Sequence, residues 1–151
     1  MKPSRVALFA LIVLAVGLYG AVLSRDLPYA PGTDEVDFLL LAIPMAQLGD
    51  PNPRWFGHPG STFLLPFAAG VRMMAMLESP GVDGFEAVRL LLDPTPGQVV
   101  LIGRFLSALF TLGAIVVLVR LGDRIHGAPV GWIAGAPVSY THLTLPTICS
   151  V

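Results

Sequence analysis

Three acids stand within four residues of one another, at Asp34, Glu35 and Asp37, and a His58-Pro59 corner follows some twenty residues later. A carboxylate can take the proton of an attacking hydroxyl, and an imidazolium can hydrogen-bond a departing phosphate. Set directly after a long greasy segment, this pairing is an unusual thing to build for packing alone. Residues 32–60 therefore read as the front half of an active site at a membrane. Asp34, Glu35, Asp37 and His58 are also hard or borderline metal ligands, but no spacing signature joins them, so no metal is assigned. Each group has a plainer reading as well. Acids that follow a potential N-cap, here Thr33, complement a helix N-terminus by ~0.3–1 kcal/mol. A histidine beside a proline can be a solvated turn residue.

The elements that would hold these groups are apolar helices. The chain is 54% hydrophobic and 13% charged, and a soluble domain carries nearly twice that charged fraction. Its mean hydropathy is +0.75. This composition points to an all-α, polytopic transmembrane helical bundle with a loop between its spans. The net charge of −1 offers nothing to nucleic acid. One cysteine, Cys149, rules out a disulfide framework or a cysteine metal site.

In chain order, Lys2 and Arg5 precede an uncharged run at residues 6–23, 18 residues long, which is read as an uncleaved first span. Residues 24–98 then hold four arginines against nine acids. That imbalance puts the N-terminus in the cytoplasm and the acidic segment outside. Within it, residues 36–48 are apolar nearly all round and too short to cross, with Pro44 expected to kink the helix. A helix lying at the membrane surface fits them. Residues 62–77, interrupted by Pro66, Gly70 and Arg72, read as a second interfacial or re-entrant helix, because a span there would invert the charge bias. Residues 99–119 form the second span, ending in a cytoplasmic turn over 120–124, and a third apolar segment starts near residue 128. The last fifteen residues, 137–151, lose all helical patterning and resemble translated adapter sequence, so the native chain is expected to be cut in its third helix.

The order of these features resembles that of the protein O-mannosyltransferases. It is similar too to the aminoarabinose transferases and related bacterial enzymes of the GT-C glycosyltransferase superfamily. The residues that carry the likeness are Asp34-Glu35-Val36, His58-Pro59 and Arg104-Phe105-Leu106-Ser107-Ala108-Leu109, within about residues 5–136. Gly60 departs from the family pattern, which usually has a second proline there. The resemblance implies inverting transfer of a sugar from a polyprenyl-phosphate donor to a hydroxyl acceptor on protein, lipid or glycan. The setting would be the outer face of a membrane, the bacterial inner membrane by analogy. It further implies many more helices than this chain holds, so the chain alone is expected to be inactive. Asp34 would be the general base, with Glu35 orienting the acceptor or a cationic partner and Asp37 supporting them from one turn on. His58 would sit near the lipid phosphate. Arg104, one turn inside the second span, costs at least ~2.5 kcal/mol there unless paired. It could snorkel, contact phosphate, or pair with Asp34 or Glu35, and holding the loop acids against the bundle is the preferred role. Arg54 and Arg72 are weaker phosphate candidates, and a surface charge is the plainer reading of both. Tyr29, Trp55 and Phe56 suit a membrane-interface belt or a sugar platform. The contrasting possibility is a non-enzymatic membrane subunit, of a transporter or scaffold, whose acidic loop is only solvated surface.

Overall fold

The computed structural model describes residues 3–25, 27, 33–54, 61–93, 96–126 and 133; at 3–5, 7, 22, 33, 34, 61 and 126 the backbone alone is described. Every element among them is an α-helix: α1 (Pro3–Val22), α2 (Thr33–Leu48), α3 (Ser61–Glu78), α4 (Gly84–Leu92) and α5 (Gly97–His126). Contacts divide the chain into two compact units. One comprises Met1–Arg25 and Ser107–Val151, the other Asp26–Leu106, so α5 contributes residues to both.

α5 is 30 residues long, about 45 Å at ~1.5 Å per residue. Its stretch Gly97–Ile125 is the one helix among the described residues long and apolar enough to cross a membrane. The described apolar part of α1, Leu8–Ala21, is shorter. The turn expected over residues 120–124 is absent, and helix continues to His126. The physical reason is local: Arg120, Leu121, Asp123 and Arg124 are ordinary helix residues, and the single Gly122 costs only about 1 kcal/mol. Charge there marks a change of surroundings, not a change of backbone.

In the first unit, Ala15 of α1 packs with Ile115 and Val119 of α5, bordered by Leu8, Leu11 and Leu112. One polar link runs through this apolar contact. The Tyr19 hydroxyl donates to Thr111 Oγ1 at 2.9 Å, and Thr111 Oγ1 donates to the Ser107 carbonyl at 3.0 Å. Thr111 is 3% exposed. Helix contacts in an apolar solvent gain little from hydrophobicity, so such bonds supply part of the affinity. Thr111→Val or Tyr19→Phe is expected to weaken the α1–α5 contact by about 0.6 kcal/mol, up to about 1.7. Thermal unfolding in detergent micelles checks this, and the double variant should lose no more than either single one.

The second unit packs α2, α3 and α4 around Leu39, Ala42, Met45, Ala46, Leu64, Phe67, Val71 and Ala75, with Ala87, Val88 and Leu91 of α4 and Val99 and Val100 of α5. α2 and α3 fall on the two helices expected at about 34–48 and 62–77, and each carries its proline, Pro44 or Pro66, within the helix. α4 lies where the reading of the sequence placed only an acidic connection. Its apolar residues recur at helical spacing, burying Gly84, Ala87, Val88 and Leu91. Asp83 caps its N-terminus, accepting from the Phe85 amide at 3.0 Å. On its exposed side Arg89 donates twice to Glu86, at 2.8 and 2.6 Å, which holds the Glu86 carboxyl below its ordinary range. At nine residues α4 would not persist alone; its packed face holds it.

α2 ends on Gly49, whose φ of 66° is the left-handed conformation that closes many helices and favours glycine. Its last carbonyls meet a side chain from α3. Arg72 Nη1 donates to the Ala46 carbonyl at 2.6 Å and the Gln47 carbonyl at 3.1 Å. A cation there also suits the negative end of the helix. The guanidinium fits because Gly84 has no side chain: a Cβ at that position would stand 2.5 Å from Arg72 Nη2. Gly84→Ala should therefore push Arg72 off the carbonyls and cost about 1–3 kcal/mol, the usual loss for stranded, charge-assisted bonds. In unfolding measurements Gly84→Ala and Arg72→Met should be strongly non-additive, because both remove the same cap. Simple additivity would show that the two positions act separately.

Candidate functional site

One acid of α2, Glu35, and the arginine of α5 come together in the second unit. Glu35 is in the first turn of α2, two residues from its start, and Arg104 is in the third turn of α5. Arg104 Nε donates to Glu35 Oε1 at 2.7 Å, and Nη2 donates to Oε2 at 3.0 Å. These parallel bonds form the two-pronged arginine–carboxylate fork, which fixes orientation as well as distance. The two side chains are 15% and 23% exposed, Arg104 and Glu35 respectively, so the pair is shielded far better than a surface bridge.

Aromatic packing lies one turn along α2. Phe38 meets Phe63 of α3 edge-on, centroids 5.1 Å apart, and Phe63 tilts against Phe67 at 5.6 Å. Phe67 in turn closes on α5 beside Arg104, where a Cβ on Gly103 would stand 3.1 Å from its ring. An apolar layer thus neighbours the ion pair and lowers the local dielectric, which strengthens the attraction within the fork.

The other proposed site residues are placed as follows. Asp34 precedes Glu35 in the first turn of α2, where the positive end of the helix favours a carboxylate; its side chain is outside the described residues. Asp37 is exposed, two residues from Glu35 and so on another face of the helix. His58 lies outside the described residues, as do Tyr29, Trp55 and Phe56. Arg54 is in an exposed turn with a φ of 58°, its amide bonded to Asn52 and its guanidinium 3.5 Å from Asp50. Arg72, weighed beforehand as a surface charge or a phosphate ligand, is half-buried and caps α2.

Reading the sequence missed the Tyr19–Thr111–Ser107 relay and the cap of α2 by Arg72. No local pattern announces either one, since the partners are 92 and 26 residues apart. Among the described residues, no group of three His, Cys, Asp or Glu could hold a metal ion.

Chemically, the fork does one thing well. It anchors the acid-bearing end of α2 to the apolar helix α5 with both oxygens of Glu35 engaged. The chain matches no protein-family model, and no curated protein or solved structure is significantly similar to it.

Proposed function

We propose that the chain serves a glycosyl transfer at the outer face of a membrane, from a polyprenyl-phosphate sugar to a hydroxyl acceptor, with inversion at the anomeric carbon. The N-terminus would be cytoplasmic and the loop bearing α2 to α4 extracytoplasmic. Asp34 takes the acceptor's proton as its oxygen attacks the anomeric carbon from one face. The bond from that carbon to the phosphate oxygen breaks on the other, and the polyprenyl phosphate leaves with the electron pair, hydrogen-bonded by His58. A general base of this kind contributes about 10²–10⁴ in rate.

The Glu35–Arg104 fork is the observation that carries this reading. A donor held by its lipid tail reacts only at the membrane boundary, so the base must be held there too. The fork supports that requirement by joining the first turn of α2 to a helix with the length and hydropathy of a span. The test is transfer by the longest reading frame that contains residues 1–136, in membranes supplied with polyprenyl-phosphate sugars. Asp34→Asn should remove transfer and spare donor binding.

A second reading draws on the same fork. Both Glu35 oxygens are engaged by Arg104, as in an internal clasp, and a non-enzymatic membrane subunit would need nothing more. Transfer that survives Asp34→Asn, or is absent from the start with every donor supplied, favours that subunit.

A further inference from the structure

The outer face of α3 has no charge where an exposed helix in water would carry several. Leu65, Met73, Met74, Met76 and Leu77 are 44, 64, 37, 50 and 70% exposed, and Pro66 and Ala69 are exposed among them. Leu65, Ala69, Met73, Met76 and Leu77 recur at three- and four-residue spacing, so they form one stripe. The lone charge between Thr62 and Leu77 is Arg72, and it is drawn inward onto the carbonyls of α2. α4, packed against α3, keeps its ion pair Glu86–Arg89 in the open instead. Charge is thus sorted: inward along α3 until its exposed last residue, Glu78, and outward on α4.

Two contacts relate α3 to α5. The helices approach where a Cβ at Gly70 would stand 3.2 Å from Ile102 and one at Gly103 would stand 3.1 Å from Phe67. The polar end of α3, Glu78, meets the polar start of α5: with the Gln98 amide turned so that its nitrogen faces the acid, it donates to the Glu78 carboxylate at 3.2 and 3.3 Å. Moving from Gln98 to Ile102 and Gly103 along α5 corresponds to moving back from Glu78 to Gly70 and Phe67 along α3. The two helices therefore pass together from a polar end into apolar surroundings. α5 is the helix suited to a bilayer, and the exposed Phe105 continues its apolar surface in this unit.

We propose that the stripe Leu65–Ala69–Met73–Met76–Leu77 is seated in the acyl-chain layer of one bilayer leaflet, with Glu78 and the Glu86–Arg89 pair at the aqueous boundary. From Leu65 to Leu77 is about 18 Å at ~1.5 Å per residue, well short of the ~30 Å hydrocarbon core, so α3 dips into the membrane without crossing it. Unbranched methionines suit a surface that must conform to mobile chains. This inference rests on the membrane reading of α5 and is independent of the transfer chemistry.

Nitroxide labels at Leu65, Met73 and Arg89, each in a Cys149→Ser background of the full chain reconstituted into phosphatidylcholine–phosphatidylglycerol vesicles, test it by power saturation. At Leu65 and Met73, relaxation by oxygen should exceed relaxation by an aqueous nickel chelate several-fold, and the preference should reverse at Arg89. Preference for the chelate at Met73 equal to that at Arg89 would overturn the proposal. So would low access to both reagents, which with spin–spin broadening would assign the stripe to a second copy of the chain. Because the readout is lipid contact, it can fail while transfer by the proposed base stands, and the reverse.

Discussion

Arg104→Met is expected to destabilise the second unit by about 3 kcal/mol, the usual result of stranding one partner of a shielded ion pair. The loss has two parts. Glu35 is left at 23% exposure without its two donors, and the fork no longer ties α2 to α5. Glu35→Gln should cost less, because the amide oxygen still accepts one bond from Arg104. Glu35→Met with Arg104→Met should recover much of the single-variant loss, since replacing both partners by apolar groups of similar volume is often near neutral. A double-mutant cycle from denaturation in micelles reads the coupling directly. A coupling near zero would make the fork a crystal-like decoration of the surface, and the positioning argument would fall with it. The double variant carries a further consequence for function. It should fold and yet transfer slowly, because the acid-bearing turn would be packed but no longer held in register.

Asp34→Asn carries the second large effect: a fall in transfer rate of about 10²–10⁴ with the donor still bound. The substitution keeps shape and hydrogen-bonding capacity while removing the proton acceptor, so it separates base catalysis from structure. Its effect on stability should be small, within the ~0.3–1 kcal/mol that a helix-terminal carboxylate contributes. Asp37→Asn provides the control. Asp37 is exposed and one turn on from Asp34, where it can support the base without taking the proton, so the rate should change far less. Comparable losses at Asp34 and Asp37 would point to the summed negative charge of the turn and away from one base.

The parts of this structure that were legible in the sequence are those written in local composition. Apolar runs mark α1, α2, α3 and α5, and except at the end of α5 the helix bounds follow the run ends closely. α4 was hidden by its own charges. Asp83, Glu86 and Arg89 read as an acidic connection when counted, yet the same residues make a cap, a helix-start acid and an i,i+3 pair. Position, and not number, carried the signal. The end of α5 was misjudged for a related reason, since Arg120 and Arg124 were taken to stop a helix that continues through them to His126.

The site divides along the same line. Acids at the start of α2 and a lone arginine in an apolar helix were visible, and the energetic cost of Arg104 said it would need a partner. Which acid it takes depends on how α2 and α5 pack across 69 residues of chain, and nothing local encodes that. Arg72 shows the opposite case. Its surroundings looked like those of a surface charge, because the pocket that admits it is made by the missing side chain of Gly84 twelve residues later.

The claim at the centre is that a lipid-phosphate sugar reacts beside the first turn of α2. The most direct measurement is the anomeric configuration of product formed from a polyprenyl-phosphate sugar and a hydroxyl acceptor, read by NMR, with the longest reading frame containing residues 1–136 and its Asp34→Asn variant. Donor-dependent product with inverted configuration, lost in the variant, is the expected result. Product of retained configuration, or transfer undiminished by Asp34→Asn, would contradict it.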